Sequence, residues 1–350
     1  MDNDLSDEHP RILIVKLSSF GDVLHALPTL EALRDLYPQA RLTWLVEAAY
    51  APLLQGHPAL DEVWRAPRLR PGEIFAGANP TLIAGLVRQL RAHRFDVVID
   101  LQGLLKSAVW VALAQSARKV GYDRTREWSY RVLNERVPPF DREAHAVRRY
   151  LNLAHYLGAP VNPPRFRLGL GATTNVSHLL PGRETRGLAV LHPGARWPSK
   201  LWHPNSWALL GDWLSREYGL QVAITGSAAD QKLSAAILQQ MQEPVIDLAG
   251  RTSLAELAAV LRRARLAVTT DTGAMHLAAA LGTPVAALFG PTAPWRTGPF
   301  GEGHQVVRLA LDCSPCFKRR CPAPRCLTDL TPELAQAACE KILFPAEVNG

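Results

Sequence analysis

Nothing in this 350-residue chain approaches the length of uninterrupted apolar residues that a membrane-spanning helix requires. The first ten residues are acidic and polar with no apolar core, which excludes a secretory signal or a membrane anchor and points to a cytoplasmic protein. The dinucleotide fingerprint GxGxxG is missing after the first strand-like run, which argues against a nicotinamide-dependent dehydrogenase. Basic segments interleaved with aromatics are also missing, so nucleic acid is not the expected partner. No short repeat or low-complexity tract interrupts the chain.

What remains is ordinary soluble-protein composition, 47% hydrophobic and 20% charged, in a chain longer than one core usually organises. The net charge of +7 favours an acidic or phosphorylated partner, although a solvated basic surface accounts for it equally well. After a tail over 1–10, apolar runs at 11–17, 41–46 and 95–100 read as strands, with an amphipathic helix over 23–36. A second alternation follows, with strands at 188–192, 221–225, 245–248, 266–270 and 285–289. Helices are expected at 206–217, 230–241, 254–263, 274–281 and 332–343. Between them, 171–186 is rich in Gly, Thr, Asn, Ser and Pro and reads as a linker. The expectation is an α/β protein with two Rossmann-like domains, 11–170 and 187–350, facing each other across a cleft in the GT-B manner.

Three segments carry chemistry. Asp271-Thr272-Gly273 joins a strand end to a helix start, where unpaired amides and the helix dipole favour a phosphate; a plain helix cap is the alternative. Lys200, in the loop from His192 to Trp202 with Gly194 and Ser199, offers a cation and backbone amides to the same anion, while Trp197 and Trp202 read as packing residues. Asp22 follows the first strand, where a carboxylate fits either a general base or a helix cap. His25 reads as a helix-face residue.

Taken together with Ile12–His25, Asp100–Ala108, Asp271–His276 and Phe289–Thr292, in that order along nearly the whole chain, these segments resemble the ADP-heptose:lipopolysaccharide heptosyltransferases of glycosyltransferase family nine. The resemblance implies a GT-B enzyme that transfers heptose with inversion from ADP-heptose to a Kdo residue of the lipopolysaccharide inner core. It assigns Asp22 as base and Lys200 as the group that neutralises the departing diphosphate. Gly194, Ser199, Asp271, Thr272, Gly273 and His276 fall on the donor side, with Glu256 on the ribose by analogy. Ser19, Lys106, Arg126, Arg68 and Arg70 fall on the acceptor side. No catalytic metal is implied. Partners would be ADP-heptose and Kdo-lipid A, with peripheral contact at the cytoplasmic face of the inner membrane. Sister heptosyl transfers, heptosylation of protein hydroxyls and a non-catalytic nucleotide-sugar binding protein are the alternatives.

Four of the five cysteines, Cys313, Cys316, Cys321 and Cys326, crowd one Pro-rich basic loop. Their spacing fits a structural Zn or Fe ion, or reduced thiols, and resembles the cysteine finger of protein-modifying autotransporter heptosyltransferases. The loop is expected to lie away from Asp22 and Lys200. Cys339, on the last helix, reads as a buried apolar residue.

Overall fold

In the computed structural model, residues 9–68, 80–180 and 187–345 are described. Chain contacts divide the protein into two units, Met1–Leu170 and Gly171–Gly350.

The first unit runs β1 (Arg11–Val15), α1 (Phe20–His25), α2 (Leu27–Leu36), β2 (Arg41–Glu47), β3 (Glu62–Ala66), α3 (Pro80–Ala92), β4 (Arg94–Asp100), α4 (Leu105–Leu113), β5 (Gln115–Tyr122), β6 (Glu135–Val137) and α5 (Ala146–Tyr156). Its six strands are parallel in the order β3-β2-β1-β4-β5-β6. Parallel neighbours need long crossovers, and the helices that supply them cover both faces, so β1 can bury Ile12 to Val15 completely. The apolar core runs from Leu13, Val15 and Val98 to Trp64, Phe95 and Trp110. The single helix expected over 23–36 is two: α1 ends at His25 and α2 restarts at Leu27 with Pro28 in its first turn. Proline lacks the amide that a helix interior needs, but is tolerated in a first turn.

The second unit runs β7 (Leu188–His192), α6 (Pro204–Tyr218), β8 (Gln221–Ile224), α7 (Gln231–Leu238), β9 (Val245–Asp247), α8 (Leu254–Arg263), β10 (Ala264–Thr270), α9 (Gly273–Ala280), β11 (Val285–Leu288), α10 (Pro294–Thr297), β12 (Gln305–Val307), α11 (Arg325–Thr328) and α12 (Pro332–Leu343). Its parallel order, β12-β11-β10-β7-β8-β9, repeats the first topology strand for strand. Trp202 and Trp207 meet edge to face in its core at 5.2 Å, and the Trp202 indole donates to the Leu330 carbonyl at 2.7 Å. Cys339 is fully buried there, and burial pushes its thiol up to about 12.

In open sheets of this order the chain leaves the sheet in opposite directions from two adjacent central strands, and the crevice at their carboxyl ends holds ligands. Those strands are β1 and β4 in the first unit and β7 and β10 in the second.

Candidate functional sites at the two switch points

At the first switch point, the loop after β1 is pinned by the loop after β4. The Gln102 side-chain carbonyl accepts from the Leu17 and Ser18 amides at 3.1 and 3.0 Å. Buried Asp100 in turn accepts from the Gln102 and Gly103 amides and from the Ser107 hydroxyl. On this support α1 opens with Ser19 as its cap. Oδ2 of Asp22 accepts from the Ser19 amide at 3.1 Å and its hydroxyl at 2.7 Å. Asp22 therefore does cap its helix, through one oxygen. The other, Oδ1, accepts from the Tyr150 hydroxyl at 3.0 Å, and that hydroxyl accepts from Lys16 Nζ at 2.8 Å.

Lys16 is 2% exposed, and burial lowers its pKa against the pull of Asp22 and Asp100. For Asp22, burial alone would raise the pKa. The charges of Lys16 and His25 and the two Ser19 bonds outweigh it and hold the carboxyl well below the usual range. The group is thus ionised at neutral pH and aimed by three donors. Neither Tyr150 nor Lys16 stood out in the sequence: Tyr150 lies on α5, 128 residues from Asp22, and Lys16 reads as part of a strand.

The other acceptor-side candidates separate. Lys106 Nζ pairs with the Glu47 carboxylate at 2.6 Å and also donates to the Ser18 hydroxyl, so it borders the Asp22 loop. Arg126 is exposed and lies 3.5 Å from its neighbour Glu127. Arg68 is exposed at the edge of the described residues, and Arg70 lies outside them. His25 is buried against His145, with ring centroids 5.2 Å apart.

One prediction follows from the Tyr150 bridge. Tyr150→Phe removes a donor from Oδ1 and an acceptor from Lys16, so the Asp22 carboxyl should rise toward its ordinary range and the acid limb of kcat/KM should move up in pH. With donor KM unchanged, kcat should fall about tenfold, the size of one charge-assisted hydrogen bond. Superimposable pH profiles for variant and parent would remove Tyr150 from the mechanism.

At the second switch point, Lys200 Nζ meets the Asp271 carboxylate at 2.6 Å and the Asp271 carbonyl at 3.2 Å, over the Trp197 ring at 4.5 Å. The Thr292 hydroxyl donates to the same Asp271 oxygen at 2.6 Å. Asp271 therefore orients the lysine, and Thr292 orients Asp271. Trp197 is more than packing, since it flanks both Lys200 and Arg319, whereas Trp202 is core. Thr272 stands at the cap position of α9 with extended backbone and makes no side-chain capping bond. The first-turn amides of α9 from Gly273 onward have no intrahelical partner, the arrangement that favours an anion at a helix N-terminus. His276 lies one turn in, partly buried. A Cβ at Gly194 would stand 2.6 Å from the Asp230 carboxylate and displace that side chain, and the Gly194 carbonyl accepts from the Thr270 hydroxyl at 2.8 Å. Glu256 sits in a capping box, accepting from the Ser253 amide at 2.7 Å at the start of α8.

The cysteine loop is not remote from this site, contrary to expectation. The Cys316 and Phe317 amides donate to the Pro291 carbonyl, and the Ser314 hydroxyl donates to Gly290. The Ser199 hydroxyl, placed on the donor side by resemblance, is spent on the Lys318 carbonyl at 2.7 Å, and Arg319 lies 5.6 Å from the Trp197 ring. The sequence separation of 119 residues hid this docking of the basic segment onto the Lys200 loop. All five cysteines are free thiols, and among the described residues no three His, Cys, Asp or Glu side chains gather as a metal-ligand group. The Cys326 thiol is raised by burial first, and then by the neighbouring Cys316, Cys313 and Cys321.

Residues 83–327 match glycosyltransferase family 9 (heptosyltransferase). The chain is 32% identical to lipopolysaccharide heptosyltransferase 1 of Pseudomonas aeruginosa, over 96% of this chain and 99% of that one. It is 30% identical to lipopolysaccharide heptosyltransferase 2 of Escherichia coli, over 85% of this chain and 88% of that one. The structure of E. coli heptosyltransferase WaaC with ADP-2-deoxy-2-fluoro heptose superposes with a TM-score of 0.74 at 26% identity, covering 95% of this chain and 99% of that one.

Proposed function

Because this chain belongs to glycosyltransferase family 9, the heptosyltransferases, we propose that it transfers heptose from ADP-heptose to a Kdo residue of the lipopolysaccharide inner core, with inversion at the anomeric carbon. In this proposal an acceptor hydroxyl attacks the anomeric carbon and gives its proton to Asp22, while the bond to the diphosphate breaks on the opposite side. ADP leaves with its new charge met by Lys200 and the first-turn amides of α9. The oxygen–carbon bond formed replaces the carbon–oxygen bond broken, and Asp22 returns the proton to solvent.

The observation that carries the proposal is the division of labour between two sheets of one topology. One switch point holds an ionised carboxylate bridged by Tyr150 to a buried lysine; the other holds a cation beside a helix N-terminus. A depressed carboxyl is a weak base toward a free alcohol. It becomes an adequate one as the attacking oxygen loses electron density to the forming bond, so proton transfer is late.

ADP release from ADP-heptose with Kdo2-lipid A as acceptor tests the proposal. Release should depend on the acceptor; a protein that binds ADP-heptose and never turns it over is a binding protein instead. The 30% identity to lipopolysaccharide heptosyltransferase 2 supports one alternative, a sister heptosyl transfer to a core acceptor other than Kdo2-lipid A. A preference for that acceptor over Kdo2-lipid A would select it.

Charge neutralisation by Lys200 and α9 leaves no task for a catalytic metal. For the four-cysteine loop the proposal is a structural Zn or Fe ion, motivated by the C-x2-C-x4-C-x4-C spacing alone, since among the described residues these thiols do not gather as a ligand group. Protein purified without a metal-binding tag should then carry close to one equivalent, and chelation should lower thermal stability more than turnover. Less than about a tenth of an equivalent of Zn plus Fe would leave reduced thiols as the account.

A further inference from the structure

α4 turns Ser107, Ala108, Trp110 and Val111 into the core of the first unit and leaves Leu105 and Val109, one helical turn apart, on its outer face. They are 57% and 39% exposed. The Leu105 amide donates to the Glu127 carboxylate at 3.0 Å, which brings the segment after β5 against this face. Next in that segment is Trp128, 67% exposed, with its backbone in the left-handed region at φ 54. A bulky side chain held there, outside any core, is not explained by packing. Exposed Arg124, Arg126 and Arg131 lie within four residues of it along the chain, and the Arg131 guanidinium stands 5.6 Å from the Trp128 ring. The two carboxylates in the segment are engaged locally, Asp123 near Arg124, and Glu127 on the Leu105 amide and 3.5 Å from Arg126, which leaves the segment with an excess of exposed arginine.

Apolar side chains, an indole and a rim of arginines make a surface suited to the interface of an anionic bilayer: the indole seats at headgroup depth, Leu and Val enter the acyl boundary, and the guanidinium groups meet lipid phosphates. We infer that the outer face of α4 and the segment carrying Trp128 form a docking surface for an anionic phospholipid membrane. The inference rests on the proposed lipid-borne acceptor for its purpose, since docking here sets the Lys106 and Asp22 loops beside the lipid headgroups. Its test does not depend on sugar transfer.

The full-length protein is sedimented with vesicles of equal parts phosphatidylglycerol and phosphatidylethanolamine, and with vesicles of phosphatidylcholine alone. Binding should require the anionic lipid and weaken with added salt. The double variant Leu105→Ser/Trp128→Asn removes only exposed apolar surface, and asparagine tolerates the left-handed backbone, so its melting temperature should be unchanged. Its partitioning onto anionic vesicles should fall about tenfold or more. Its kcat/KM on a deacylated, water-soluble acceptor should match the parent's. Absence of parental binding to anionic vesicles overturns the inference, as does a double variant that still binds like the parent. Lost turnover on the soluble acceptor with vesicle binding intact would make Trp128 part of an acceptor subsite instead. Binding with no transferase activity would leave the surface standing and remove the acceptor that motivates it.

Discussion

Asp22→Asn should lower kcat by about 10²–10⁴-fold while ADP-heptose binds almost as before. The amide keeps the shape of the carboxylate and an oxygen for one of its donors, so the substitution isolates the loss of a base. Asp22→Ala should fall at least as far, because the Ser19 amide and hydroxyl and the Tyr150 hydroxyl also lose their acceptor. Both variants leave the buried Lys16 ammonium without its principal counter-charge, so both should melt earlier than the parent. The pH dependence has a definite sign. The folded-state pKa of Asp22 is depressed, so its contribution to stability is complete above the ordinary carboxylate range and is lost only as pH falls through the lowered value. The parent enzyme should accordingly show no acid limb from Asp22 near neutrality. Near-parental kcat in Asp22→Asn would assign the base elsewhere.

Lys200→Ala should weaken ADP-heptose binding about tenfold and reduce kcat/KM by about 10²–10³-fold, since its charge meets the diphosphate in the ground state and more strongly as ADP departs. A structural complication has a clean control. Asp271 is 8% exposed and Lys200 is its cation, so the single variant leaves a nearly buried carboxylate without that cation, with the Thr292 hydroxyl still donating to it. The double variant Lys200→Ala/Asp271→Asn should recover melting temperature and part of the donor affinity, yet remain slow. If the double variant regains turnover, the lysine acts only by neutralising Asp271.

The strands legible in the sequence are β1, β2 and β4 in the first unit and β7 to β11 in the second, edge strand β9 included, and the signal is plainest in the central ones. β1, β4, β7 and β10 lie between two neighbours, so β1 and β7 carry the apolar runs 12–15 and 188–191, and β4 and β10 the shorter runs 97–99 and 266–268. β3 and β6 are edge strands, and β5, Gln115–Tyr122, adjoins an edge with half of its residues partly exposed. Their mixed composition carries no such run. α1 and α2 merged in the periodicity because Pro28 sits in a first turn, where it breaks a helix without spoiling the apolar stripe.

The site divided in the same way. Asp22, Lys200, Asp271 and Gly273 lie in the loops that follow β1, β7 and β10 or at the helix starts beyond them, so chain order together with the family resemblance pointed to them. Their partners come from distant segments. Tyr150 reaches Asp22 across 128 residues, and Lys318 reaches Ser199 across 119. Local sequence carries no record of such pairings. Thr292 was visible as the end of Phe289-Gly290-Pro291-Thr292, but its task, orienting Asp271, is a property of the fold.

The most direct measurement is the structure of the product formed from ADP-heptose and Kdo2-lipid A. Mass spectrometry and proton–carbon correlation spectra should show one heptosyl residue on a Kdo hydroxyl, with its anomeric configuration opposite to that in the donor. Retained configuration, or a heptose attached to any group other than Kdo, would contradict a single displacement with Asp22 as base and Lys200 at the leaving group.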